Sequence, residues 1–180
     1  MSERIAVVDE DNRFLRWTSR EEVHEGHLPH RSIQIALFDS EGRLVVQKRH
    51  ASKATFPSHW DISCSGHVAQ EDYLDGPDER LDEVYLRVAH RELKEELGID
   101  THLSLLGAFP PEPGVHYEHL QLFLGTHDGP YRAQEEEVEQ VLAVSPEEFD
   151  DLVLDISRKV TPSLVYLVHY LRKHGHFQSE

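Results

Sequence analysis

Short segments of alternating apolar and polar residues occupy the first part of the chain, a pattern typical of strands with one buried face. Segments 5–8 and 14–17 flank the polar turn DEDNR, which predicts a hairpin or two short strands. Segments 32–38 and 44–48 flank the turn DSEG, which predicts a second hairpin. The beginning of the chain is therefore predicted to contribute several strands to a sheet.

The segments beside these hairpins carry helix and loop signals. Ser19 followed by Glu22 has the form of a capping box and predicts a short helix that ends near Gly26. Residues 51–63 predict a loop that leads into a further strand, because Pro57 excludes a helix there.

The hydrophobic pattern changes to a helical period in the middle of the chain. Residues 85–99, YLRVAHRELKEELGI, predict one amphipathic helix that ends at Gly98, since glycine easily takes the left-handed conformation after a last helical turn. The apolar positions at helical spacing are Leu81, Val84, Tyr85, Val88, Leu93 and Leu97. One face of this helix is therefore apolar.

Strands and helices alternate again in the second half. Segments 103–109, 120–124 and 138–144 predict strands. Ser145 and Thr161 each precede a proline, so two capped helices are predicted to close the chain. Strands before and after one long helix, with further helices at the end, predict an α/β fold in which a mixed sheet packs between helices.

Length, charge and cysteine content limit the function. At 180 residues the chain predicts one domain, 1–180. The formal net charge of −16 argues against a nucleic acid polymer or an anionic membrane as partner, because both require a basic face. The lone Cys64 excludes an intramolecular disulfide, and the N-terminus lacks the features of a signal peptide. We therefore expect a cytoplasmic protein that acts on a small molecule, in an oligomeric state that the sequence leaves open.

Three glutamates on the predicted long helix indicate a metal site. Glu92, Glu95 and Glu96 have the spacing i, i+3 and i+4, which crowds like charges onto one face. Mg²⁺ prefers oxygen ligands and binds through a few carboxylates together with water and substrate phosphates. A divalent cation would turn this repulsion into a binding site, and a solvated acidic face is the alternative.

The same stretch resembles the sequence signature of the Nudix family, which reads Gly, five residues, Glu, seven residues, then Arg-Glu-apolar-x-Glu-Glu-x-Gly-apolar. Residues 91–99 match this signature, and so does Glu83, eight positions before Arg91. Gly66 best matches the opening glycine, but sixteen residues separate it from Glu83. The polar sequence AQEDYLDGPDER within this stretch predicts a surface insertion near 68–82.

The resemblance implies an α/β/α sandwich and a Mg²⁺-dependent hydrolase, with Mn²⁺ as an alternative ion. The implied reaction cleaves a phosphoanhydride bond in a nucleoside diphosphate derivative or a related small diphosphate. The metal ligands would be Glu92, Glu95 and Glu96, and either Glu95 or Glu96 would also help to generate the attacking water. Arg91 would orient these carboxylates through ion pairs, and Glu83 would complete the catalytic set.

A second resemblance concerns residues 51–67, ASKATFPSHWDISCSGH, which are similar to the matching stretch of isopentenyl diphosphate isomerase, an enzyme of the same fold. This likeness implies a second metal site that contains histidine, together with two contacts to the substrate diphosphate. Its metal ligands would be His30, His67 and Glu118, with His116 in place of a further carboxylate. The diphosphate contacts would be Arg49 and Lys53.

Two departures from the isomerase pattern favour hydrolysis. The catalytic cysteine of the isomerase aligns with Ser65, and the adjacent Cys64 should point to the opposite face of a strand, towards the core. The isomerase also has an arginine at the position of Glu92, whereas this chain keeps every acidic residue of the signature. A diphosphate hydrolase is therefore the main hypothesis. An isomerase and a non-catalytic nucleotide-binding module are the alternatives.

Overall fold

A computed structural model of the chain describes residues 3–179, so residues 1, 2 and 180 of the predicted domain lie outside the described part. Within it, nine strands form one mixed sheet. The strands are β1 (Arg4–Val8), β2 (Phe14–Ser19), β3 (His30–Phe38), β4 (Leu44–Arg49), β5 (Trp60–Ile62), β6 (Cys64–His67), β7 (Leu103–Phe109), β8 (Glu118–Thr126) and β9 (Val138–Val144). The two predicted hairpins are confirmed, and the predicted further strand is divided into β5 and β6.

Strand β3 has neighbours on both sides. It pairs in parallel with β8, where His30 lies opposite Glu118, and antiparallel with β6, where Ser32 lies opposite His67. Strand β4 pairs antiparallel with both β5 and β9. Because β3, β6 and β8 are adjacent, residues far apart in sequence meet at one end of the sheet.

Four helices complete the fold: α1 (Arg20–Glu25), α2 (Leu81–Leu97), α3 (Pro146–Leu154) and α4 (Pro162–Lys173). The caps of α3 and α4 form as predicted, since the hydroxyls of Ser145 and Thr161 accept backbone N–H bonds three residues on. Gly98 ends α2 in the left-handed conformation, with φ of 65°. None of the helices among residues 3–179 has the length and apolar character needed to cross a membrane.

The cap of α1 differs in part from the prediction. The Ser19 hydroxyl accepts the Glu22 N–H at 3.2 Å, as expected. The carboxylate of Glu22 does not reach back to Ser19, because it accepts hydrogen bonds from Arg16 and Thr18 on β2 instead. The helix is therefore tied to the neighbouring strand as well as capped.

Helices cover the sheet on both faces. On one face, Tyr85, Val88 and Leu93 of α2 pack with Ile33 and Ile35 of β3. A separate cluster on the other face joins the sheet to α3 and α4. This arrangement confirms the predicted α/β/α sandwich with a mixed sheet.

The extra chain between β6 and α2 is fastened to the rest of the fold. Its start contains a short 3₁₀ helix, Gln70–Asp72, and Asp72 is buried. Arg31 of β3 is fully buried, and its guanidinium donates to Tyr73 Oη at 3.1 Å and Asp78 Oδ1 at 2.6 Å. These bonds hold both ends of the segment against the sheet.

Candidate active site

A cavity of about 710 Å³ opens between α2, the ends of β3 and β8, and the loop after β4. Glutamates of α2 line one part of its wall, and histidines line another part. Such a concave site with convergent polar groups is the usual form of an active site.

The three glutamates of the predicted metal site all line this cavity, to different depths. The exposed fraction of the side chain is 14% for Glu92 and 55% for Glu95, and Glu96 is buried. Gly66 of β6 makes room for them, since a Cβ atom at this position would lie 2.2 Å from the Glu92 carboxyl carbon. The glycine at this position is therefore required by the close approach of Glu92.

The buried carboxyl groups hold their protons more tightly than usual. Burial raises the pKa of Glu92 to about 8, and the neighbouring Glu96 and Glu95 add to this effect. Burial also raises the pKa of Glu96, although its carboxylate accepts a hydrogen bond of 2.8 Å from Gln47 Nε2. Clustered carboxylates with this charge repulsion fit an oxygen-ligated divalent cation such as Mg²⁺.

Arg91 connects these glutamates to the segment that follows β6. It donates two hydrogen bonds to Asp72, from Nε at 3.2 Å and from Nη2 at 2.9 Å. Its Nη1 lies 2.9 Å from Glu92 Oε1 and 3.1 Å from Glu95 Oε2. Arg91 therefore contacts two of the three carboxylates, those of Glu92 and Glu95, and is itself held by Asp72.

Asp72 was missed in the sequence reasoning, although a signal for it is present. Five residues separate Gly66 from Asp72, which is the spacing of the family signature with Asp in place of Glu. Glu83, which was assigned that acidic position, lies outside the cavity and pairs with Arg80 on the exposed start of α2. The residues in excess of the signature spacing therefore follow Asp72. Asp72 keeps its signature spacing from Gly66 and its hydrogen bonds with Arg91.

The histidines predicted for a second metal site also come together. Ligand atoms of His30, His67 and Glu118 all lie within 4.8 Å of one another, the one such group of three or more among residues 3–179. The pairing of β3 with both β6 and β8 produces this convergence. His116, the fourth predicted member, lines the same cavity, with its Nδ1 at 3.7 Å from Glu118 Oε2.

Hydrogen bonds set the tautomers of two of these histidines. His30 Nδ1 donates to Leu28 O at 2.7 Å, and His116 Nδ1 donates to Glu118 O at 3.0 Å. Their buried Nε2 atoms have no hydrogen-bond partner in the described part of the chain. An unpartnered imidazole nitrogen, oriented by a bond from the other ring nitrogen, is the usual form of a metal ligand.

His24 joins this cluster and was not predicted. Its ring centroid lies 5.0 Å from that of His67 and 5.8 Å from that of His30, and its buried Nε2 also has no hydrogen-bond partner among residues 3–179. It belongs to the short helix α1, and among 14 histidines no spacing distinguishes it. Burial lowers the pKa of His24, His30 and His67, so these rings favour the neutral, metal-binding form.

The cations predicted to bind diphosphate line the cavity and are already engaged in ion pairs. Arg49 Nη1 lies 3.3 Å from Asp61 Oδ2, and Lys53 pairs with Glu137. Arg20, which the sequence reasoning did not identify, also lines the cavity. Imidazole and carboxylate donors together suit transition metals, whereas the glutamates of α2 suit a harder ion.

Ser65, which aligns with the catalytic cysteine of the isomerase, and the adjacent Cys64 point to opposite sides of β6, as predicted. Ser65 lines the cavity, whereas Cys64 is fully buried in the core beneath α2. Burial raises the pKa of the Cys64 thiol well above its usual value, so the reactive thiolate is disfavoured.

Comparison with known proteins gives a consistent family. The model of the NUDIX domain matches residues 28–164. An uncharacterized Nudix hydrolase of Pseudomonas aeruginosa is 40% identical over 81% of this chain and 80% of its own length. An isopentenyl-diphosphate Delta-isomerase of Serratia proteamaculans is 34% identical over 76% of this chain and 73% of its own length.

Solved structures resemble this fold at low sequence identity. A crystal structure of a Deinococcus radiodurans protein has a TM-score of 0.77 at 20% identity, and covers 93% of this chain and 98% of its own. The NUDIX domain of Shewanella oneidensis NrtR, in complex with ADP ribose, has a TM-score of 0.56 at 13% identity, and covers 87% of this chain and 99% of its own. At these identities the likeness concerns the fold alone.

Proposed function

Because this chain belongs to the NUDIX family, with a match that spans residues 28–164, we propose that it is a divalent-metal-dependent diphosphate hydrolase. The family and its hydrolase relatives make it an enzyme of the pyrophosphohydrolase kind. The proposed substrate is a nucleoside diphosphate derivative or a related small diphosphate. A cytoplasmic location remains a prediction.

One observation carries this proposal. The complete set of three signature glutamates lines a cavity together with Arg91, which Asp72 holds through two hydrogen bonds. A module that only binds a nucleotide has no need for three crowded carboxylates, two of which, Glu92 and Glu96, have a raised pKa. The repulsion among these carboxylates weakens the fold unless a cation binds.

The residues of the chain divide the work between binding and positioning. Glu92, Glu95 and Glu96 would hold Mg²⁺ or Mn²⁺, which when bound neutralises phosphate oxygens and lowers the pKa of a bound water. Arg49 and Lys53 would bind the diphosphate oxygens. Either Glu95 or Glu96 would accept the proton of the attacking water, and the bond from Gln47 keeps Glu96 in a fixed direction.

The histidine cluster supports a second metal position in the same cavity. His30, His67 and Glu118 would hold this ion, and His24 and His116 lie beside them in the wall of the same cavity. Two donor sets of different chemistry in one cavity would accommodate two different ions, or two ions of a metal such as Mn²⁺ that accepts both sets.

An isomerase remains the second candidate because the histidine cluster matches the pattern of that enzyme and because isomerase relatives are 30–34% identical. Ser65 in the cavity and Glu92 on α2 argue against it. Incubation of the purified full chain with Mg²⁺ or Mn²⁺ and a panel of nucleotide and isoprenoid diphosphates tests the choice. Release of phosphate or a nucleoside monophosphate supports the hydrolase, allylic isomer exchange supports the isomerase, and binding without turnover contradicts both.

A further inference from the structure

A second cavity, of about 320 Å³, lies behind the wall of the candidate active site. Lys48 of β4 is paired with Trp60 of β5 and with Gln140 of β9, and all three line this cavity. Arg49, which follows Lys48, and Asp61, which follows Trp60, line the first cavity instead. Because side chains alternate along a strand, the two cavities lie on opposite faces of the same strands.

The charge of this second cavity is opposite to that of the protein. Its lining in the described part of the chain includes Lys48, Arg158 and Lys159 and no carboxylate, although the chain has a net charge of −16. Two of these cations have an acidic partner at the rim. Lys48 Nζ lies 2.9 Å from Glu139, and Arg158 Nε lies 3.3 Å from Asp155.

Donors remain for a ligand after these ion pairs are counted. Lys159 has no carboxylate within 4.0 Å among residues 3–179. Arg158 carries further N–H groups beyond Nε, since a guanidinium has five. Ser58 adds a hydroxyl group to the lining, whereas the hydroxyl of Ser157 donates to Asp155 Oδ1 at 2.6 Å.

Backbone bonds fix the positions of these cations. Trp60 N donates to Lys159 O at 2.8 Å, and Thr161 N donates to Trp60 O at 2.9 Å, so residues 159–161 extend the sheet beside β5. Arg158 N donates to Asp155 O at 2.8 Å, which closes the turn before them. The backbone that carries the cations is therefore held before any ligand arrives, which reduces the entropic cost of binding.

We propose that this cavity binds a small oxyanion of the phosphate type. Clustered ammonium, guanidinium and hydroxyl donors are the groups that recognise phosphate oxygens. The inference concerns binding at a separate site and does not depend on the proposed hydrolysis.

Trp60 provides a direct test, because the chain contains two tryptophans and Trp17→Phe leaves Trp60 as the fluorophore. The full-length Trp17→Phe protein is titrated with inorganic phosphate and with glycerol phosphate, at an ionic strength held constant with sodium chloride. We expect a saturable change in Trp60 fluorescence. Tighter binding of inorganic phosphate would mean that the site prefers free phosphate, and tighter binding of glycerol phosphate would mean that it prefers a phosphate ester. Either result supports the site.

Variants locate the response. Adding Arg158→Ala and Lys159→Ala together should weaken binding at least about tenfold, because the two substitutions remove two cationic donors from the cavity. Both residues are exposed, so the fold should persist, and circular dichroism checks this. Lys173→Ala is the matched control, because it removes an exposed lysine outside the cavity and should leave binding unchanged.

Three results would overturn the proposal. These are a fluorescence response that does not saturate, an unchanged response in the Arg158→Ala/Lys159→Ala variant, and a response that Arg49→Gln abolishes while that variant keeps it. The last result would place the phosphate in the candidate active site.

Discussion

The two candidate metal-binding regions of the cavity, the glutamates of α2 and the histidine cluster with Glu118, are built in different ways. All three glutamates come from one helix, α2, with only Gly66 needed from elsewhere to make room. The histidine region takes its members from α1, β3, β6, β8 and the loop before β8. Local helical spacing therefore produces the first region, whereas strand pairing between distant segments produces the second.

This difference predicts separable functions. The largest effect is expected at the glutamates, where Glu96→Gln should lower diphosphate hydrolysis by more than about a hundredfold. The reason is that removing a metal ligand costs more activity than removing a residue that only hydrogen-bonds to a ligand. Turnover is measured at saturating Mg²⁺. Glu83→Gln is the matched control, and it should change turnover less than about twofold because Glu83 lies outside the cavity.

An active Glu96→Gln enzyme would remove the proposed mechanism. A severe loss in Glu83→Gln with normal folding would instead restore Glu83 to the catalytic set that the sequence suggested. The two variants therefore show whether the spacing of the signature or the geometry of the cavity identifies the catalytic glutamates correctly.

The second prediction concerns the histidine region. His67→Gln should weaken Co²⁺ binding by about tenfold or more, because it removes one imidazole from the group within 4.8 Å. The visible spectrum of bound Co²⁺ measures the change directly. Glu95→Gln should leave this spectrum intact, and an equal loss in both variants would mean that the two regions form a single site.

The same contrast explains what the sequence could predict. Both hairpins, the long helix and the two capped closing helices follow from local periodicity and from residues such as Gly98, Ser145 and Thr161, and all of them are present. The glutamates were identified for the same reason. His24 was missed because its neighbours His30 and His67 approach it only through tertiary contacts.

Asp72 illustrates a different reason for failure. Counting backwards from Arg91 placed the first acidic residue of the signature at Glu83, whereas counting forwards from Gly66 leads to Asp72. Asp72 has the spacing of the signature from Gly66, and Glu83 has the spacing of the signature from Arg91, because extra residues lie between the two positions. Only the hydrogen bonds of Arg91 decide between them.

The third prediction tests that anchor. Asp72→Asn should lower the free energy of unfolding by about 2 kcal/mol, since the buried ion pair with the partly exposed Arg91 is lost. Chemical denaturation measures this change. Glu83→Gln removes only a surface pair and should cost at most about 1 kcal/mol. Equal effects of the two substitutions would contradict the assigned anchor.

The change in stability per pH unit is the smallest of the expected effects, and its sign should differ between the two regions. The raised pKa of Glu92, about 8, means that the metal-free folded state binds a proton more tightly than the unfolded chain between pH 4.5 and 8. This group therefore destabilises the fold as pH rises through that range, by up to about 1.4 kcal/mol per pH unit.

His67 should act in the opposite direction. Its pKa lies well below the usual 6.5, so the unfolded chain binds the proton more tightly and stability falls as pH drops below 6.5. Denaturation of metal-free protein between pH 5 and 8 measures both effects against the matching variants. Glu92→Gln should gain stability relative to the wild type as pH rises, and His67→Gln should gain as pH falls. If the stability of both variants relative to the wild type changed with pH in the same direction, the two regions would not have the different environments described here.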